Sequence, residues 1–142
     1  MTKIDFHILP TTQAAEQLKY VARLVQKAIN RDHQVLIAVN TDTDAQNVSD
    51  ALWSAIPESF LAHTFVQEGN YSLQIGTIEQ CGQHHDVLIN LCATIPDYFS
   101  RFERVFEVVF QHPEILPASR ERYRYYADHG YEIARHDLRA QV

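Results

Sequence analysis

Val35-Leu36-Ile37-Ala38-Val39, followed at once by Asn40-Thr41-Asp42-Thr43-Asp44, is the stretch on which the fold turns. Five consecutive apolar residues without polar alternation read as a strand covered on both faces. The polar, cap-rich residues after it open a helix whose apolar positions Ala45, Val48, Ala51 and Leu52 recur at helical spacing and end near Trp53. Upstream, Ile4 to Leu9 alternates and stops at Pro10, as a first strand would. Thr11-Thr12 offers a cap for a helix starting at Ala14, with Leu18, Val21, Ala22, Val25 and Ile29 on one stripe, and Asn30 to His33 forms the turn back. Strand, helix, strand, helix at this spacing points to a parallel α/β sheet.

Downstream, Phe60 to His63 and Leu73 to Gly76 read as short strands, and Val87 to Leu91 as a buried one. Residues 99–110 fit both periods; a short helical turn over Asp97 to Arg101 and a strand from about Arg104 to Val109 reconcile them. After Pro113 a helix runs to about His129 and ends at Gly130, and Tyr131 to Leu138 alternates as an edge strand. The expectation is a single three-layer α/β domain over residues 1–142. Its sheet is mainly parallel (mixed) and flanked by helices, Rossmann-like without a nucleotide-binding glycine loop.

The 142 residues are 46% hydrophobic and 21% charged, with net charge -6, which excludes disorder and low-complexity architectures. No apolar run approaches the ~18 residues a membrane span needs. The start, MTKIDFHILP, lacks the apolar segment of a secretory leader, and two cysteines, Cys81 and Cys92, make no disulfide framework, so a cytoplasmic protein is expected. The charge is uneven. The first hundred residues hold five basic and eleven acidic groups, whereas residues 101–142 hold seven of each, with Arg120, Arg122 and Arg124 inside five positions. An acidic chain is poorly suited to gripping nucleic acid directly, since that affinity comes from many Lys/Arg contacts releasing counterions. A local basic knot suits a small acidic target such as a peptide carboxylate.

Chemistry that this fold class invites is thin. Gly69, Gly76, Gly82 and Gly130 are the four glycines, none in the turns after the first two strands, and no phosphate-cradling GxGxxG or GxxxxGK[ST] exists. Cys81-Gly82-Gln83-His84-His85-Asp86 holds ligand types without the second cluster a structural zinc site uses. Asp42 and Asp44 follow the second strand, where capping explains them as simply as catalysis. No catalytic residue, cofactor or metal is expected. The alternative is a small cytosolic α/β enzyme holding a nucleotide or metal at the strand-end crevice, around Asp42, Asp44 and residues 81–86.

Two surfaces look built for partners. On the last helix Arg120, Tyr123 and Arg124 share a face, and guanidinium groups beside an aromatic wall suit a short acidic peptide. The other comprises Trp53 at a helix end and Phe60 after Pro57-Glu58-Ser59, aromatic anchors of the kind interfaces use.

Through these residues the sequence resembles the chi subunit family of bacterial DNA polymerase III almost end to end. The resemblance is carried by Phe6-His7-Ile8-Leu9, Val35-Leu36-Ile37-Ala38, Asp50-Ala51-Leu52-Trp53 and Pro57-Glu58-Ser59-Phe60-Leu61-Ala62-His63. It continues through Asp86-Val87-Leu88-Ile89-Asn90-Leu91, Phe102 to Val109, Ser119-Arg120-Glu121-Arg122-Tyr123 and Gly130-Tyr131. It implies a non-catalytic accessory subunit of the clamp-loader complex that bridges two partners in DNA replication. One is the psi subunit, met as a heterodimer through Trp53 and Phe60, a surface that members also lend to a helicase. The other is the acidic, Phe-ending C-terminal tail of the single-stranded-DNA-binding protein, met through Arg120, Tyr123 and Arg124. Neither membrane nor direct nucleic-acid binding is implied. Some members carry a basic residue where this chain has Leu116, which leaves open whether Arg122 supplies the missing charge.

Overall fold

A computed structural model describes residues 2–55, 63–65, 72–80, 82 and 84–139. In chain order the elements are β1 (Lys3–Ile8), α1 (Ala14–Asn30), β2 (Val35–Val39), α2 (Asp42–Ala55), β3 (His63–Phe65), β4 (Leu73–Thr77), β5 (Val87–Asn90), β6 (Arg104–Val109), α3 (Leu116–Asp128) and β7 (Glu132–Asp137). A single 3-10 turn, Phe99–Arg101, precedes β6. The seven strands lie in the order β3-β4-β2-β5-β6-β1-β7. Every described pairing is parallel, so the mixed sheet expected from sequence is corrected to a wholly parallel one. The alternation over Tyr131 to Leu138 marks an edge strand correctly; it carries no information about direction, and β7 runs alongside β1 rather than against it.

Side-chain alternation divides the core into two layers. Val35, Ile37, Val39, Val87 and Ile89 pack with Val21, Ala22 and Val25 of α1 and Val48 and Leu52 of α2. Ile4, Phe6, Leu36, Ala38, Leu88, Val105 and Val109 face the other way, against Phe99, Phe102 and Tyr126. β2 is at most 1% exposed along its whole length, which is why it reads as an unbroken apolar run. α1 and α2 therefore cover one face of the sheet and α3 the other.

The helix ends show how local chemistry is allotted. Thr41 caps α2: its hydroxyl accepts the Asp44 amide at 3.1 Å, while Asp42 and Asp44 stand in the first turn, where the helix dipole favours negative charge. Thr11 is not the cap of α1. It accepts the Gln13 amide at 3.0 Å in the approach turn, and Gln13 occupies the cap position without a side-chain bond. Gly130 follows α3 with φ +78°, the left-handed conformation that a side chain resists.

Candidate functional site

The position of α3 follows from one buried charge. Glu107, on β6, is wholly buried beside Phe6 in the register of β1 and β6, so both point at α3. Its Oε1 accepts Arg122 Nε at 3.0 Å; its Oε2 accepts Asn90 Nδ2 and Tyr126 OH, each at 2.8 Å. Arg122 also donates to the Ala93 carbonyl at 2.9 Å and to Ser119 Oγ at 3.2 Å. Burial pushes the Glu107 carboxyl upward, and the Arg122 guanidinium and the two other donors pull against that rise. Arg122 is 7% exposed, so it is a structural cation and cannot make up for Leu116 on the surface.

Anchoring Arg122 inward decides what the rest of the helix shows. At about 100° per residue, the buried Ser119, Arg122 and Tyr126 span about 60° of the circumference. Tyr123 falls about 100° from Arg122, Arg120 about 160° and Arg124 about 200°, which puts Arg124 at the crest opposite the buried arc. A cavity opens on each flank of the helix, and the linings divide the three residues grouped by sequence: Arg120 and Tyr123 belong to one and Arg124 to the other.

On the first flank a cavity of about 310 Å³ is lined by Arg120, Tyr123, Leu116 and Ser119 of α3, with Phe6, Ile8 and Val109 contributed by the sheet. Phe6 meets the Tyr123 ring edge-on at 5.1 Å, and Tyr123 remains 37% exposed. Among the described residues Arg120 has neither a hydrogen-bond nor an ion-pair partner. Arg135 and Arg139 complete the wall. Reading the sequence locally misses both, because what brings Arg135 here is its pairing with Phe6 across the β1–β7 register.

Arg124 lines a different cavity, of about 690 Å³, with Glu121, Asp128, Asp97 and the Tyr125–His129 stack. There it pairs with Glu121 at 3.0 Å, and three carboxylates make that flank unattractive to an acidic ligand. Trp53 lies in the last turn of α2, and Phe60 falls outside the described residues, as does the side chain of Trp53. Around residues 81–86, Asp86 is engaged by His33 Nδ1 at 2.9 Å and the Gln34 amide at 3.1 Å; Cys81 and Gln83 lie outside the described residues. Among the described residues no three His, Cys, Asp or Glu side chains gather as a metal set.

A family model described as DNA polymerase III chi subunit, HolC, matches residues 1–134. The chain belongs to the chi subunit family of DNA polymerase III. It is 32% identical over 139 residues to the DNA polymerase III subunit chi of Pseudomonas aeruginosa, covering 97% of this chain and 98% of that one. The Escherichia coli subunit chi is 27% identical over 141 residues, covering 94% and 96%. The Haemophilus influenzae subunit is 26% identical over 134 residues, covering 92% and 93%. In fold, the chi-family chain is similar to the crystal structure of T4 UvsW, with TM-score 0.65 at 10% identity over 94% of this chain and 41% of that one. That likeness shows an α/β architecture and nothing of activity.

Proposed function

We propose that this chi-family chain is a non-catalytic adaptor of the DNA polymerase III clamp-loader complex, joining psi to the C-terminal tail of the single-stranded-DNA-binding protein. The observation that carries the reading is Arg120, partnerless among the described residues, on the wall of an apolar-floored cavity. In a protein with net charge -6, an exposed guanidinium beside an aromatic ring is an anion receptor with a hydrophobic seat. A carboxylate at a peptide's end satisfies the guanidinium, and a terminal Phe ring fits against Phe6, Leu116 and Tyr123. At about 310 Å³ the cavity stands at the lower limit of ordinary ligand sites, room for one ring.

One tail binds weakly, since a flexible peptide loses entropy on docking, and many tails on one coated strand raise the effective affinity by local concentration. We assign the psi contact to Trp53 and Phe60 and propose that the same surface can serve a helicase. Direct nucleic-acid or membrane contact and a catalytic role form no part of this reading, whose setting is the cytoplasm. The test is retention on immobilised single-stranded DNA coated with the binding protein. The chain should be held on the full-length protein and released when the acidic tail is deleted; equal retention without the tail overturns the reading. Trp53→Ala and Phe60→Ala should lose psi and keep the tail.

A further inference from the structure

We infer that Arg135, on the edge strand β7, reads the acidic residues preceding the terminal aromatic of the bound peptide, and that Arg124 takes no part in peptide selection. The inference rests on the peptide-docking reading and names the residue that sets its selectivity.

Three guanidinium groups, Arg120, Arg135 and Arg139, line the cavity beneath the first flank of α3, and among the described residues no carboxylate does. They come from both walls: Arg120 from the helix, the other two from β7 and the residues after it. Arg139 is already engaged. Its Nε and Nη2 donate to the two carboxylate oxygens of Asp137 at 2.9 and 2.7 Å. Arg135 is not. Its guanidinium stands 6.0 Å from the centre of the Tyr123 ring, an arrangement that steadies a cation without neutralising it.

Position makes Arg135 complementary to Arg120 rather than redundant. It is paired in register with Phe6, whose ring forms the cavity floor against Tyr123. A ring seated on that floor therefore has Arg120 on its helix side and Arg135 on its strand side. One guanidinium can take the chain-terminal carboxylate while the other meets side-chain carboxylates a residue or more back. This also answers the charge left missing by Leu116. That side chain belongs to the apolar lining, and the compensating cation comes from the opposite wall, not from the buried Arg122.

The test uses two fluorescein-labelled peptides that end in Phe with a free carboxylate. One carries several aspartates before the Phe; in the other those aspartates are asparagines. Polarisation titrations compare wild type, Arg135→Ala, Arg135→Lys, Arg124→Ala and Arg120→Ala, each checked by thermal melting. Arg135→Ala should weaken the aspartate peptide by about three- to tenfold and leave the asparagine peptide unchanged, so that the preference collapses. Arg135→Lys should restore part of it, and Arg124→Ala should match wild type. If Arg120→Ala abolishes binding while Arg135→Ala keeps the wild-type preference, or Arg124→Ala removes it, the inference fails and the docking reading stands. If wild type binds neither peptide, both fall together.

Discussion

Arg122 Nε donates to Glu107 Oε1 at 3.0 Å inside the core, and this bond decides which way the last helix faces. The pair is also hydrogen-bonded to Asn90, Tyr126, Ser119 and the Ala93 carbonyl, so a buried charge that would be ruinous alone is compensated. With Arg122 turned inward, Arg120 and Tyr123 emerge over one cavity, while Arg124, at the crest, lines the other. The surface chemistry is a geometric consequence of the buried bond.

Removing one member of that pair should be costly. Arg122→Met leaves the Glu107 carboxylate buried without its cation and should lower the unfolding free energy by about 3–5 kcal/mol, read from urea unfolding. Adding Glu107→Leu should recover part of the loss, because two apolar side chains carry no desolvation penalty, although Asn90 and Tyr126 lose their acceptor. A single variant within about 0.5 kcal/mol of wild type would show that the network does not anchor α3.

Tyr123 should matter as a ring and not as a phenol. Among the described residues its hydroxyl has no hydrogen-bond partner, whereas its ring adjoins Phe6 and Arg135. Tyr123→Phe should bind an acidic, Phe-ending peptide as wild type does. Tyr123→Ala should weaken it by about three- to tenfold, in line with about 0.5–1.5 kcal/mol for an aromatic contact, when both are titrated by fluorescence polarisation.

His7 sets a pH dependence of stability. Burial first, and then neighbouring His136, lower its pKa from 6.5 to about 4. Its Nδ1 lies 2.7 Å from the Tyr20 hydroxyl and its ring stacks on His136 at 4.6 Å. Above pH 6.5 the imidazole is neutral in folded and unfolded chains alike. Between about 6.5 and 4 only the unfolded chain takes the proton, so acidification through this window favours unfolding, by at most about 3 kcal/mol. Melting temperatures measured across the window should fall more steeply for wild type than for His7→Gln. Parallel profiles would mean that His7 protonates equally in both states.

The strands of this protein were legible because a wholly parallel sheet buries both faces, and β2 and β5 therefore spell themselves out as apolar runs. The helices were legible from their stripes, and Gly130 from its place after α3. Strand direction at β7 was not, because alternation is the same for parallel and antiparallel edges. The site was half legible. Arg120 and Tyr123 stood out as a guanidinium next to a ring, but their separation from Arg124 depends on where the sheet touches the helix. A cluster of three arginines in five residues does not disclose that Arg122 belongs to the core. Arg135 was invisible for a different reason: its neighbour Phe6 is 129 positions away, joined to it only through the register of β1 and β7.

The central claim is that Arg120 captures the negatively charged end of a partner's chain. Calorimetric titration of an acidic, Phe-ending peptide into wild type and Arg120→Ala tests it most directly. Affinity should fall by more than about tenfold, the loss of a charge-assisted pair, with an unchanged melting temperature, since among the described residues the Arg120 side chain has no hydrogen-bond or ion-pair partner. Equal dissociation constants for the two proteins would contradict it.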